Sequence, residues 1–330
     1  MLRIAHLIDD ANPGGVTRYL DFLANDAGMG NLARHQIIQV PRTRPAARRI
    51  DADIIVSHLT ISWRGLGGLM SLRALYPGTP LVHVEHSYSA GFVASNVPSP
   101  RRFHILLQWA YALFDRVVAV SKAQRDWLAM RDLVKPDALA MIHPCVDLSR
   151  FSALKPPAGP VRRIGAIGRF NVQKGFDLLI TAFRNTPSDD LRLELIGDGP
   201  ERDRLHQIAA GDPRILFSDF TPDPAAAMAR CDAIAMPSRW EPFGLVALEA
   251  LTARRPLLVS SVDGLRDFTP LGAIRVPTLT SACWSKTITR LAAAPIVGIA
   301  PPNAAETTRR GWQRLIADLA PATASSLARQ

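Results

Sequence analysis

The chain has 330 residues, 48% of them apolar and 21% charged, and a formal net charge of +10. That length allows two domains of ordinary size, and its apolar runs are strand-length, well short of the roughly 18 residues that a membrane-spanning helix needs. Cys145, Cys231 and Cys283 are odd in number and far apart, which excludes a zinc knuckle or disulfide framework and fits a reducing, cytoplasmic setting.

In chain order, Val-, Ile- and Leu-rich runs at 3–8, 35–40, 53–58, 80–86, 116–121 and 140–146 read as buried strands. Polar segments of helix length separate most of them. The run from Met1 to Asp9 is acidic by its end and lacks a cleavable signal pattern, so it reads as the first strand. Ser152 to Pro160 holds three prolines and a glycine and reads as a linker. The alternation then restarts, with runs at 162–168, 191–196, 214–217, 232–236, 256–260 and 273–276. Alternating strands and helices imply parallel sheets covered on both faces. The predicted organisation is an N-terminal Rossmann-like domain over 1–155, a second over 156–303, and a helix in 304–330. Trp312, Leu315, Ile316 and Leu319 share one face of that helix, which is expected to pack back on the first domain. Two such doubly wound domains, facing each other, would bind ligands at the carboxyl ends of their strands.

Strand ends in the second half carry the chemistry. Gly168-Arg169-Phe170-Asn171-Val172-Gln173-Lys174-Gly175 follows the first strand. Gly168 admits a ligand close to the backbone, while Arg169 and Lys174 bring a fork and a point charge to a diphosphate. Gly197-Asp198-Gly199-Pro200-Glu201 is a tight strand-to-helix turn. Pro237 to Ala250 runs from strand through loop to helix and contains Glu241 and Glu249 eight residues apart. Glu249 is flanked by Ala247, Leu248, Ala250 and Leu251, a costly place for an acid unless it is hydrogen-bonded. The amides of Phe243, Gly244 and Leu245 open the helix and suit a phosphate. Backbone around Phe220 and Thr221 is the candidate for base recognition.

The E-x7-E pattern, Glu241 to Glu249, resembles the signature of retaining GT-B glycosyltransferases, in particular glycosyltransferase family 4. The glycine loops at 168–175 and 197–199 match in order. So do Gly14-Gly15 after the first strand, Val120-Ser121 before a helix, and Ile142-His143-Pro144-Cys145-Val146-Asp147. The resemblance implies that Arg169 and Lys174 hold the donor diphosphate and Glu249 the ribose. It implies that Glu241 orients the donor sugar, that Gly14 and Gly15 open the first helix to acceptor or phosphate, and that His86 lines the sugar pocket. Asp267 stands where the family usually has Glu and receives no role.

The expected reaction is hexosyl transfer from a UDP- or GDP-sugar to a glycan or lipid-linked acceptor, in cell-surface polysaccharide or lipopolysaccharide synthesis. No metal or other cofactor is expected, because two cations and a helix N-terminus can stabilise the leaving diphosphate. Asp51-Ala52-Asp53 resembles a D-x-D metal motif but precedes its strand, and His83 and His86 fall on opposite strand faces. The basic surplus is almost wholly arginine. Its clusters, Arg42, Arg44, Arg48 and Arg49, and Arg101 with Arg102, are not interleaved with aromatics. They point to peripheral contact with an anionic membrane, at its inner face, rather than to specific nucleic-acid binding. The rival readings are a nucleotide-sugar epimerase or hydrolase, which would consume donor without acceptor, and a non-catalytic nucleotide-sugar- or polyanion-binding module.

Overall fold

The computed structural model describes residues 1–46, 49–293 and 303–319. The chain forms two compact units. One comprises Met1–Asp147 and the C-terminal helix, the other the residues between.

The first unit is a six-stranded parallel sheet of β1 (Arg3–Ile8), β2 (Arg34–Gln39), β3 (Ile54–Ser57), β4 (Leu81–Glu85), β5 (Arg116–Ala119) and β6 (Leu139–Met141), ordered β2-β1-β3-β4-β5-β6. The chain runs from β1 to β2 on one side, then crosses back to β3 on the other. The switch point of the sheet is therefore between β1 and β3. Ile4, Leu7, Ile54, Val56 and Val82 are buried, as expected where helices cover both faces. Serines terminate the loops that follow the strands: Ser62, Ser89 and Ser121 each cap a helix, accepting from the amides of Gly65, Phe92 and Gln124. Asp51 and Asp53 tie down the start of the sheet, the Arg3 amide donating to Asp53 at 2.8 Å and its guanidinium to Asp51 at 2.5 Å.

The second unit repeats the plan with β7 (Arg163–Ile167), β8 (Arg192–Ile196), β9 (Ile215–Ser218), β10 (Ala233–Met236), β11 (Leu257–Ser260) and β12 (Ile274–Val276), ordered β12-β11-β10-β7-β8-β9. Its switch point lies between β7 and β10, and Phe170, Leu179, Phe183, Leu195 and Trp284 fill its core.

Two details differ from the sequence reading. The run 140–146 pairs only over Leu139–Met141. Pro144 has no amide for a ladder, and the His143 carbonyl accepts from Thr308 at 2.8 Å instead. The Pro-rich stretch is not the boundary, which falls at Asp147/Leu148. Arg150 pairs with Asp223 at 2.6 Å, and buried Arg255 donates to the Lys155 carbonyl at 2.7 Å, so the stretch is fastened to the second unit.

Helix Ala304–Leu319 packs on the first unit. Trp312 is 1% exposed and donates from Nε1 to the Tyr19 hydroxyl at 2.8 Å. Arg309 grips Asp26 at 2.5 and 2.8 Å, and the same carboxylate caps helix Ala27–Leu32 through the Met29 amide. Gly311 lets the helix approach Ile142, since a Cβ there would stand 2.9 Å from that side chain. Among the described residues no helix is long and apolar enough to cross a membrane.

Candidate functional site

In the second unit the loops after β7, β8 and β10 are knitted together by backbone. Phe170 N–H donates to the Asp198 carbonyl at 2.8 Å and Glu201 N–H to the Phe170 carbonyl at 3.0 Å. The glycines are a steric requirement there. Gly197 has φ +149°, and a Cβ on it would lie 2.0 Å from the Gly168 carbonyl oxygen. Gly175, at φ +66°, would place a Cβ 2.2 Å from the Pro237 carbonyl oxygen. These glycines pull the loop 168–175 against both the 197–199 turn and the strand end at Pro237.

That closeness brings Lys174 and Glu241 together, 67 residues apart in sequence, with Nζ to Oε2 at 2.5 Å. Ser238 Oγ donates to the same oxygen at 3.2 Å. The Glu241 amide donates to buried Asp263 at 3.2 Å, and the Glu241 carbonyl accepts from Gly264 N–H at 3.0 Å. Arg239 stiffens the floor. It forms a two-pronged pair with Asp177 at 2.8 and 2.9 Å and reaches the Val172 carbonyl at 2.7 Å. Burial pushes the Asp177 carboxyl up, but the hydrogen bonds and charge of Arg239, with the Leu178 amide and the Arg204 charge, together hold it below its usual range. Gly244, at φ +105°, starts helix Leu245–Thr252, and a Cβ there would meet the Glu241 side chain at 3.4 Å. Gly168, Lys174, Glu241 and the helix start at Gly244 and Leu245 thus share one small region at the β7/β10 switch point. Arg169 is exposed beside it with no carboxylate partner among the described residues.

The remaining predicted residues are placed differently. Glu249 is 0% exposed, so the ribose contact assigned to it finds no solvent-open oxygen in this structure. Phe243 is buried at 7% against Phe268, and Phe220 is 62% exposed after β9, next to Thr221, whose hydroxyl accepts from the Asp223 amide. In the first unit, Gly14 and Gly15 are exposed at the start of helix Gly15–Asn25. Gly14 has an extended φ of −174°, and a Cβ on it would find nothing nearer than 3.8 Å. The fold places no steric demand for glycine at this position, the N-cap of the helix.

His86, beyond β4, is hydrogen-bonded through Nε2 to His58 Nδ1 at 2.8 Å and stacked on it. Burial lowers its pKa to about 4; Glu85 opposes this and His83 adds to it. It is therefore a neutral imidazole near pH 7. His83 belongs to a separate cluster. It lies 3.3 Å from Glu85, which also accepts from the Tyr111 hydroxyl and from the Ser87 and Tyr88 amides. Sequence reasoning missed Ser238, Arg239, Asp177 and Asp263 as supports of the Lys174–Glu241 pair. Only Asp263 carried a signal, as the first charged residue beyond β11 in a unit that uses its strand ends. Among the described residues no group of three or more His, Cys, Asp or Glu is arranged to hold a metal.

Two doubly wound units, one with a cation–carboxylate pair and a helix N-terminus at its switch point, define a Rossmann-like protein of the GT-B type. The comparisons give the family. The pattern described as "Glycosyltransferase Family 4" matches residues 13–150, and that described as "Glycosyl transferases group 1" matches residues 161–293. The chain belongs to this glycosyltransferase family. It is 30% identical over 300 residues to a D-inositol 3-phosphate glycosyltransferase of Saccharomonospora viridis, covering 79% of this chain and 67% of that one. It is 28% identical over 283 residues to a glycogen synthase of Mycobacterium tuberculosis, covering 81% of this chain and 65% of the relative. The chain thus spans about two thirds of the length of these relatives. In fold it is similar to HepE of Anabaena, solved in complex with UDP, with a TM-score of 0.67 at 18% identity and full coverage of both chains.

Proposed function

We propose that the protein is a retaining glycosyltransferase that transfers a hexose from a UDP- or GDP-sugar to a glycan or lipid-linked acceptor of a cell-surface polysaccharide or lipopolysaccharide. The observation that carries this reading is the Lys174–Glu241 pair, set at the β7/β10 switch point beside exposed Arg169 and the N-terminus of helix Leu245–Thr252. A nucleoside diphosphate departing from the anomeric carbon gains negative charge. Arg169, Lys174 and the first-turn amides are fixed donors for that charge. With the diphosphate present, Lys174 divides its three donors between phosphate and Glu241, which frees Glu241 oxygens for hydroxyls of the sugar. Acceptor attack on the same face, with the departing phosphate taking the acceptor proton, needs no protein nucleophile. In this reading Glu249 serves the ribose, which requires the start of its helix to open on binding. Gly14, Gly15 and His86 serve the sugar or acceptor. The relative HepE is named as a UDP complex, and that supports testing the uridine series first.

We extend the proposal to peripheral contact with an anionic membrane. Trp63 and Trp109 are 43% and 60% exposed and meet edge to face at 6.2 Å, with the Arg102 guanidinium 5.5 Å from the Trp63 ring. Exposed indoles beside arginines suit a headgroup layer. Arg42 is instead paired with Asp9, and Arg48 lies outside the described residues.

A thermal-shift titration with UDP-glucose and GDP-mannose, with EDTA present, tests the donor reading. A ligand at a hundred times its Kd adds about 2.7 kcal/mol. Stabilisation by one series, followed by transfer of labelled hexose with retained anomeric configuration, supports the proposal. Hydrolysis of the donor at full rate without acceptor would favour the hydrolase reading.

A further inference from the structure

Four imidazoles form a continuous row across the first unit. His35 lies on β2, His6 on β1, His58 just after β3 and His86 just after β4, so the row follows the strand order from edge to centre. His35 Nδ1 meets His6 Nε2 at 2.9 Å, His6 Nδ1 meets His58 Nε2 at 2.9 Å, and His58 Nδ1 meets His86 Nε2 at 2.8 Å. Every link therefore joins an Nδ1 to an Nε2. Trp312 stands edge-on to His6 and His35 and closes one side.

The geometry restricts where the protons go. Each link needs one proton, and each neutral ring has one. If His35 carries its proton on Nδ1, His6 Nε2 must be bare, so His6 carries its own on Nδ1, and the same holds for His58 and His86. If His6 instead donates from Nε2 to His35, all four rings carry the proton on Nε2. Only these two arrangements leave no link with two protons or none. A ring out of step would leave a buried polar group unsatisfied, which costs free energy. The ends differ. His35 Nε2 is buried with no hydrogen-bond partner, whereas His86 Nδ1 is neither fully buried nor bonded to any described residue. The two arrangements differ in which nitrogen of every ring carries the proton, so the state of His86 Nδ1 is tied to that of the other three rings.

We propose that His35, His6, His58 and His86 act as one two-state tautomeric relay whose open end, His86 Nδ1, meets a hydroxyl of the bound donor sugar. His6, His35 and His58 are thus positioning residues that set whether His86 donates or accepts there. The relay itself stands on the row; its meeting with the sugar rests on the function proposed above.

The experiment uses the full chain with 15N-labelled histidine and records ring-nitrogen correlation spectra at neutral pH. The relay requires the four rings of the row to be protonated on the same nitrogen; two of them protonated on different nitrogens overturns it. This measurement needs no substitution. His58→Leu should then move the His86 ring-nitrogen resonances and raise the Kd for UDP-glucose several-fold. His58→Asn, whose amide can stand where Nδ1 stood, should restore most of both. His86 resonances unchanged in His58→Leu would overturn the coupling. If UDP-glucose binds none of the three proteins, the donor reading fails while the ring spectra still decide the relay.

Discussion

The two units share one scaffold, six parallel strands with a single switch point, yet they furnish that point with opposite chemistry. Seven of the eight histidines, all but His206, lie in the first unit, and four of them form a buried, uncharged row. The second unit places a lysine, an exposed arginine and a carboxylate at the corresponding place. Neutral imidazoles can donate to or accept from hydroxyls without holding a charge in a buried setting, whereas a diphosphate demands permanent cations. On the function proposed above, one scaffold, doubled, separates hydroxyl recognition from charge stabilisation.

The largest expected effect is on the stability of the first unit. Trp312→Ala removes a fully buried indole that also holds Tyr19, and should cost about 3–5 kcal/mol, read from chemical denaturation. If binding of UDP survives in conditions where the protein remains folded, the nucleotide depends on the second unit, and the division of labour holds. Next comes the charge pair. Lys174→Ala should lower the rate of transfer on the order of 10²–10³-fold with an unchanged far-ultraviolet spectrum. The double variant with Glu241→Ala should lose much less than the product of the single losses, because each side chain holds the other. A Lys174→Ala protein with normal kcat would remove the comparison's second half.

The row makes a smaller, pH-dependent prediction. Burial holds His35 and His86 at about 4, below the 6.5 of an unperturbed histidine. Between those values the unfolded chain binds more protons than the folded one, so stability falls as pH drops from about 6.5 toward 4. The slope is at most about 1.4 kcal/mol per pH unit for each histidine. Urea midpoints at pH 7.5 and 5.0 check this. His35→Leu should flatten the difference, and an unaltered pH dependence would mean that other groups set it. The smallest effect concerns the surface. Arg102→Ala should weaken adsorption to phosphatidylserine vesicles by about 1 kcal/mol, and equal binding at low salt by wild type and variant would remove this face as the contact.

The sequence by itself determined the architecture. Runs of Val, Ile and Leu broken by helix-length polar segments can bury both faces of a parallel sheet in one way, and twelve such runs became twelve strands. It also marked the glycines at 168, 175 and 197, because a turn that needs positive φ or a bare backbone leaves that residue type in the record. It singled out Lys174 and Glu241 separately through their loops, and Trp312 through helical spacing. Only tertiary structure decided that Lys174 reaches Glu241, that Arg239 and Asp177 stiffen the floor, that Glu249 is shut away from solvent, and that the Pro-rich stretch is fastened within a unit. Each depends on loops brought together by strand order, which no local pattern encodes. The histidine row is the clearest case. His6, His35, His58 and His86 are 23 to 29 residues apart along the chain and look unrelated there. They become one hydrogen-bonded chain because β2, β1, β3 and β4 are neighbours in the sheet, and the spacing of adjacent strands, about 4.8 Å, matches the reach from one imidazole to the next.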